Sequence, residues 1–178
     1  MEKYVNMADI ISAQQLGETE TVALIELMFF AYRDFVSDPD EILTEFGFGR
    51  AHHRVLHFAG RDPGMTVQQL LDILRITKQS LGRVLKDLID KGYVFQREGE
   101  TDRRQRLLFL TEKGEALRQR LVGPQMARIR RAVALPENDV AHVYRRVLFQ
   151  MVSPENRDSV REWIDRTSVI GNPDEDRG

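Results

Sequence analysis

The residues best suited to chemistry lie in one stretch, Gly99 to Gly114, which reads GETDRRQRLLFLTEKG. Here Asp102 is followed by Arg103, Arg104 and Arg106 in a polar turn between two strand-like runs. Guanidinium groups on an exposed turn suit an anion, and a narrow groove of negative potential suits them best. A second set lies upstream: Thr66, then Thr77, Lys78, Gln79, Ser80, Arg83 and Lys86. Gln and Arg can make paired hydrogen bonds to base edges. Hydroxyls beside the free N–H groups of a helix start suit phosphate. A third set is RAHHRVLHF, residues 50–58, with Arg50, His52, His53, Arg54 and His57. His53 and His57 stand at i and i+4, so they share a face and could hold a metal. No further ligand lies close except Glu45, and ordinary packing or surface histidines are the leading account. Neither a metal nor a cofactor is expected.

Several chemistries are excluded or disfavoured. Cysteine is absent, which removes disulfides, a thiol redox switch, a cysteine nucleophile and any cysteine-based zinc site. There is no Gly-rich phosphate loop and no evident nucleophile–base pairing, so an enzyme is not expected. No apolar run reaches the roughly 20 residues of a membrane span. The N-terminal MEKYVNMADI lacks the basic-then-apolar design of a signal peptide, and a cytoplasmic location is the default expectation.

Net charge over the 178 residues is −2, but it is unevenly spread. Residues 1–46 carry 2 basic and 10 acidic side chains, residues 47–122 carry 15 and 9, and residues 123–178 carry 9 of each. Local charge sets the field a partner meets, and here the basic middle holds the first two sets of residues.

Helices must position these groups. ETETVALIELMFFAYRDFV, residues 18–36, is apolar around most of its circumference. A helix of that kind is buried nearly all round, which in a short terminal element points to cover by a second subunit. SDPDE, residues 37–41, is expected to break it. A second helix is expected over 43–60. Thr66 reads as the N-cap of residues 67–74, Arg75 and Ile76 as a short turn, and Thr77 as the cap of residues 78–92. Leu81, Val84, Leu85, Leu88 and Ile89 then form one apolar stripe. The outward positions are Lys78, Gln79, Ser80, Gly82, Arg83, Lys86 and Asp87. Gly92 is the helix stop, and YVFQR (93–97) and RLLFL (106–110) are the strands of a hairpin. Asp102 is a poor DNA contact and is expected to pair with a neighbouring arginine and fix the turn. Thr111 caps a long helix that the Gly123–Pro124 pair should bend or interrupt. Helices over 135–152 and 153–166 follow, the last capped by Ser153 with Pro154 at its first position. The aromatics Phe29, Phe30, Phe46, Phe48 and Phe58 read mostly as core.

A charged outer face alone is the rule for any solvated helix. The order helix, turn, helix, glycine stop and basic hairpin is far more restrictive, and it is the pattern of a winged helix-turn-helix. The expected fold is mainly α with a small β-hairpin wing. TVQQLLDILRITKQSLGRVLKDLIDKGYVFQREGETDRRQRLLFLTEKG resembles the MarR family of bacterial transcriptional regulators. Asp102-Arg103-Arg104, followed by Leu110-Thr111 and Gly114, matches that family's wing and helix start. The pattern covers roughly residues 20–150.

The resemblance implies a homodimer built from N- and C-terminal helices, a DNA-reading helix at 78–91 and a wing arginine at 103 or 104. The partner is then double-stranded DNA, through a pseudo-palindromic operator, with repression the family's usual mode. It also implies a small anionic aromatic effector, for which Arg50, His53, Arg54 and His57 are the candidate ligands. The parts are an arm and dimerisation helix (1–44), the winged lobe (45–113), C-terminal dimerisation helices (114–170) and a disordered tail (171–178). Residues 153–170 run past the family's usual end, and Trp163, Ile164, Val169 and Ile170 suggest that they pack on something, such as the partner subunit. The competing reading is a protein-interaction module that keeps the winged fold without reading DNA.

Overall fold

A computed structural model describes residues 16–136 and 139–170 of the chain. The expected arm at 1–15, the tail at 171–178 and the side chains of Val169 and Ile170 lie outside what it describes. The chain divides into two compact units, Met1–Ser37 and Asp38–Gly178. The described elements run α1 (Glu18–Glu45), α2 (Arg50–Arg61), α3 (Val67–Leu74), α4 (Lys78–Asp90), β1 (Val94–Glu98), β2 (Arg106–Leu110), α5 (Glu112–Val133), α6 (Val140–Met151), a 3-10 turn (Pro154–Asn156) and α7 (Arg157–Ile170).

The core lies in the second unit. Val55, Leu56 and Ala59 of α2, Leu70 of α3, Leu81, Leu85 and Leu88 of α4, Leu108 of β2 and Leu117 and Leu121 of α5 are all buried together. The stripe read from the sequence of α4 is thus the face it turns inward. Burying a leucine side chain contributes about 1.5–3 kcal/mol, so this cluster dominates the lobe's stability. Strands β1 and β2 are antiparallel, with Val94 opposite Leu110 and Glu98 opposite Arg106. The segment before α3 adds a short third rung: Gly64 donates to the Leu108 carbonyl at 2.8 Å and Leu108 donates to that of Met65 at 2.9 Å.

Three expectations are corrected. Residues 37–41 do not end α1, which continues through Pro39 to Glu45. A proline removes one helical donor, but tertiary contacts override that loss here. Pro39 is buried, Asp38 accepts from Arg128 at 3.0 Å, and Asp40 takes a forked pair of hydrogen bonds from Arg50 at 2.9 and 2.7 Å. Gly123 and Pro124 do not interrupt α5, which is continuous over 22 residues. Phe29 and Phe30 are not core residues of the protomer, being 69% and 55% exposed, whereas Phe46, Phe48 and Phe58 do join the core.

Candidate nucleic-acid interface

The two helices of the helix-turn-helix are fixed at their starts by side-chain caps. Thr66 accepts from the Gln69 amide at 3.1 Å, while Gln69 accepts in return from the Thr66 amide at 2.7 Å. This reciprocal box satisfies two of the helix's free donors. Thr77 accepts from the Ser80 amide at 3.1 Å and donates to the Ser80 hydroxyl at 2.9 Å. Between the helices, Arg75 adopts a left-handed conformation with φ of 50°. That is uncommon for a residue with a Cβ, and it sets the turn angle. Gly92, at φ of 73°, closes α4 and leads into β1.

With Leu81, Leu85 and Leu88 buried, α4 turns Lys78, Gln79, Ser80, Gly82, Arg83 and Lys86 to solvent. A Cβ built on Gly82 would meet nothing within 4 Å, so the helix has a bare, closely approachable spot midway along its outer face. Lys86 is engaged by Asp90 one turn on, an exposed pair that water and salt screen. Asp87, read as outward, is only half exposed. It faces His52 of α2, with His52 Nε2 3.1 Å from Asp87 Oδ2, and it also accepts from Lys91 at 3.2 Å. His52 Nδ1 accepts from the Gly49 amide at 3.1 Å. The ring's proton therefore sits on Nε2 and is donated to Asp87. Burial lowers the His52 pKa from its ordinary value while the Asp87 carboxylate opposes the shift. This cross-helix tie, absent from the sequence reading, aligns α4 on α2. A histidine three residues after a glycine, at a helix start, was its only signal.

The three arginines of the hairpin divide by position. Arg106 lies in β2 and pairs with Glu98 across the strands at 2.8 Å. Arg103 and Arg104 stand at the exposed tip, where no described residue forms an ion pair with them. Asp102 Oδ1 accepts from the Arg104 backbone amide at 2.9 Å rather than from a guanidinium. Gln105 donates to the Asp102 carbonyl at 3.0 Å and Gly99 donates to that of Gln105 at 3.1 Å. The tip is thereby a shaped turn with two unpaired cations on it. Beneath it Phe95 and Phe109 stack at 5.4 Å, with the Arg97 guanidinium 5.1 Å from each ring centre.

The set on α2 is arranged otherwise. Arg50 is held by Asp40, and Arg54 is exposed. His53 and His57 do share a face, with ring centres 6.4 Å apart. Among the described residues no three metal-ligating side chains come together. Burial lowers the pKa of His53, and it brings that of His57 down to about 4 with help from the nearby His53, Arg118 and Arg61. A histidine held neutral in the fold but free to charge when unfolded draws protons to the unfolded state. Stability from this source is complete above the ordinary value of 6.5 and declines as pH falls towards about 4. We expect His57→Gln to flatten the loss of stability between pH 6.5 and 4 by up to about 3 kcal/mol, read from urea unfolding at several pH values. An unchanged slope would mean that His57 is solvated.

Comparison with known proteins agrees with this geometry. A model of the MarR family matches residues 46–105, which hold the helix-turn-helix and the wing tip. The HTH-type transcriptional regulator PetP of Rhodobacter capsulatus is 49% identical over 133 residues, spanning 75% of this chain and 80% of that one. Among solved structures, FabT of Streptococcus pneumoniae in complex with DNA superposes with a TM-score of 0.66 at 20% identity, covering 74% of this chain and 96% of that one. A mutant MarR of E. coli complexed with operator DNA gives a TM-score of 0.57 at 22% identity, covering 75% and 96%. The structural likenesses show the winged fold, and identity near one half over most of both chains shows common membership: the chain belongs to the MarR family.

Proposed function

We propose that this MarR-type transcriptional regulator works as a homodimer that binds a pseudo-palindromic DNA operator and represses from it. The observation that carries the reading is the pairing of two outward surfaces on one lobe. An amphipathic helix shows Lys78, Gln79, Ser80 and Arg83 to solvent, and a rigid turn beside it shows Arg103 and Arg104. The helix fits the major groove and the tip fits the adjacent minor groove. PetP is named a transcriptional regulator, and two of the likenesses were solved with DNA, which supports the same assignment.

The dimer reading rests on exposed apolar surface. Val22, Ile25, Leu27, Phe29 and Phe30 of α1 are exposed, as are Val143, Val147, Leu148 and Met151 of α6. Monomers rarely leave so many large apolar side chains to water. Twofold symmetry would then set the two reading helices about 34–36 Å apart, one turn of DNA. A small anionic aromatic effector would find Arg54 as its cation. Arg50 is already held by Asp40, and burial favours the neutral form of both His53 and His57.

The test is selection of bound duplexes from a random pool, with and without aromatic acids, combined with sedimentation of the free protein. We expect a two-part symmetric site, a dimer mass, and affinity falling with salt at about 0.9 log units per phosphate contact per log unit of salt. A monomer that enriches no sequence, yet captures a folded protein partner, would favour the interaction-module reading instead.

A further inference from the structure

The segment after α6 was expected to pack on something, with the partner subunit as one option. It packs instead on its own winged lobe. Trp163 lies against Phe58 of α2 with ring centres 5.4 Å apart and planes at 65°. One turn on, Arg166 donates to Asp62 at 2.9 Å, and the Thr167 carbonyl accepts from Arg61 at 2.6 Å. Thr167 is 2% exposed. At the other end, Asn156 Oδ1 accepts from the Arg75 guanidinium at 2.5 Å. Arg75 is the left-handed residue between α3 and α4. Asn156, Trp163 and Thr167 therefore form one stripe that grips the end of α2 and the turn of the helix-turn-helix.

We propose that residues 154–167 are a brace that positions the recognition helix, with Asn156 as the positioning residue acting through Arg75. The inference rests on the reading of α4 as the DNA-reading helix. A non-glycine residue at positive φ costs about 1 kcal/mol or more and persists only where its surroundings hold it. The capped helices hold the Arg75 backbone from either side, and Asn156 holds its side chain. The same bond occupies one nitrogen of the Arg75 guanidinium. The brace thus acts on the angle of α4 and adds no contact of its own to DNA.

The test uses the full chain with Asn156→Ala, Asn156→Asp and Arg103→Ala, measured against one bound duplex over a salt series. Exchange of the backbone amides of residues 75–81 is followed in parallel without DNA. We expect Asn156→Ala to weaken binding about fivefold, the net worth of one ordinary hydrogen bond at this exposed site. The salt slope should not change, because no phosphate contact is lost. Amide exchange at the turn should quicken, and Asn156→Asp, which still accepts from Arg75, should restore the slow exchange. Trp163 is the sole tryptophan of the chain, so an unshifted emission in all variants shows that the helix stays docked. Binding and exchange unchanged by Asn156→Ala, while Arg103→Ala still weakens binding, would overturn the brace and leave the DNA reading intact. Tighter binding with a steeper slope would also overturn it, by showing Arg75 to be a withheld phosphate ligand. A wild-type chain that binds no duplex would overturn both.

Discussion

Replacing Arg103 and Arg104 together with alanine should weaken operator binding by about three orders of magnitude or more without altering the unfolding temperature. Each base or groove contact of an arginine is worth about 1–3 kcal/mol. In the proposed dimer two wings carry the pair, so four cations leave the interface at once, and the low end of that range for all four sets this scale. If all four face phosphate, the salt slope should also shrink by about 3.6. The fold should be indifferent, because the turn is held by backbone groups. Asp102 grips the Arg104 amide, which alanine retains, and Gly99 and Gln105 close the loop through main-chain bonds. Arg106→Ala is the informative control. It removes a cation of the same type from the same hairpin, but one already paired with Glu98. Its effect on binding should be several times smaller. Titration by fluorescence anisotropy at two salt concentrations reads all of this. Wild-type affinity in the double variant, or an equal loss in Arg106→Ala, would remove the wing from the interface.

Much of the lobe was legible because short-range rules act on it alone. Thr66, Thr77 and Thr111 are caps that work within three residues, and each is a cap in the structure. The apolar stripe of α4 repeats at helical spacing, so its inward and outward faces could be assigned from the sequence. Several of the misses share a cause: they depended on a residue distant in sequence. Pro39 and its acidic neighbours read as a break until Arg50 and Arg128 are seen to hold Asp40 and Asp38. Asp87 read as an outward carboxylate because nothing local shows His52, 35 residues earlier, turned towards it. Phe29 and Phe30 read as core because hydrophobicity is a local signal, whereas exposure is set by what packs against α1. The C-terminal segment was marked by Trp163, but its target, Phe58, lies about a hundred residues upstream.

Gly114→Ala should destabilise the lobe by about 3 kcal/mol or more, at the upper end of what overpacking costs. In most helices the change is favourable by about 0.5–1 kcal/mol, because alanine loses less backbone entropy. Here a Cβ would lie 2.0 Å from the Tyr93 carbonyl oxygen and 3.0 Å from its carbon. Neither side can retreat cheaply. That same oxygen accepts from the Thr111 amide at 3.1 Å. The Thr111 hydroxyl bonds the Gly92 carbonyl at 2.8 Å and accepts from the Gly114 amide at 3.0 Å. Tyr93 is buried, with its ring edge-on to those of Phe46 and Phe48. The α5 start, the β1 start and the core thus close on one point, and only a hydrogen fits there. This is the physical content of the Thr111–Gly114 spacing that the sequence shows. Gly82→Ala supplies the opposite case on α4, where an added Cβ meets nothing. That variant should gain about 0.5–1 kcal/mol of stability by the ordinary helix rule. It should nevertheless bind operator less well if the bare spot on α4 is where DNA approaches. Urea unfolding and DNA titration of the two variants separate a glycine required by the fold from one required by the ligand. Equal stability of Gly114→Ala and wild type would mean that α5 and β1 are not locked together, and the rigid joint between wing and long helix would have to be abandoned.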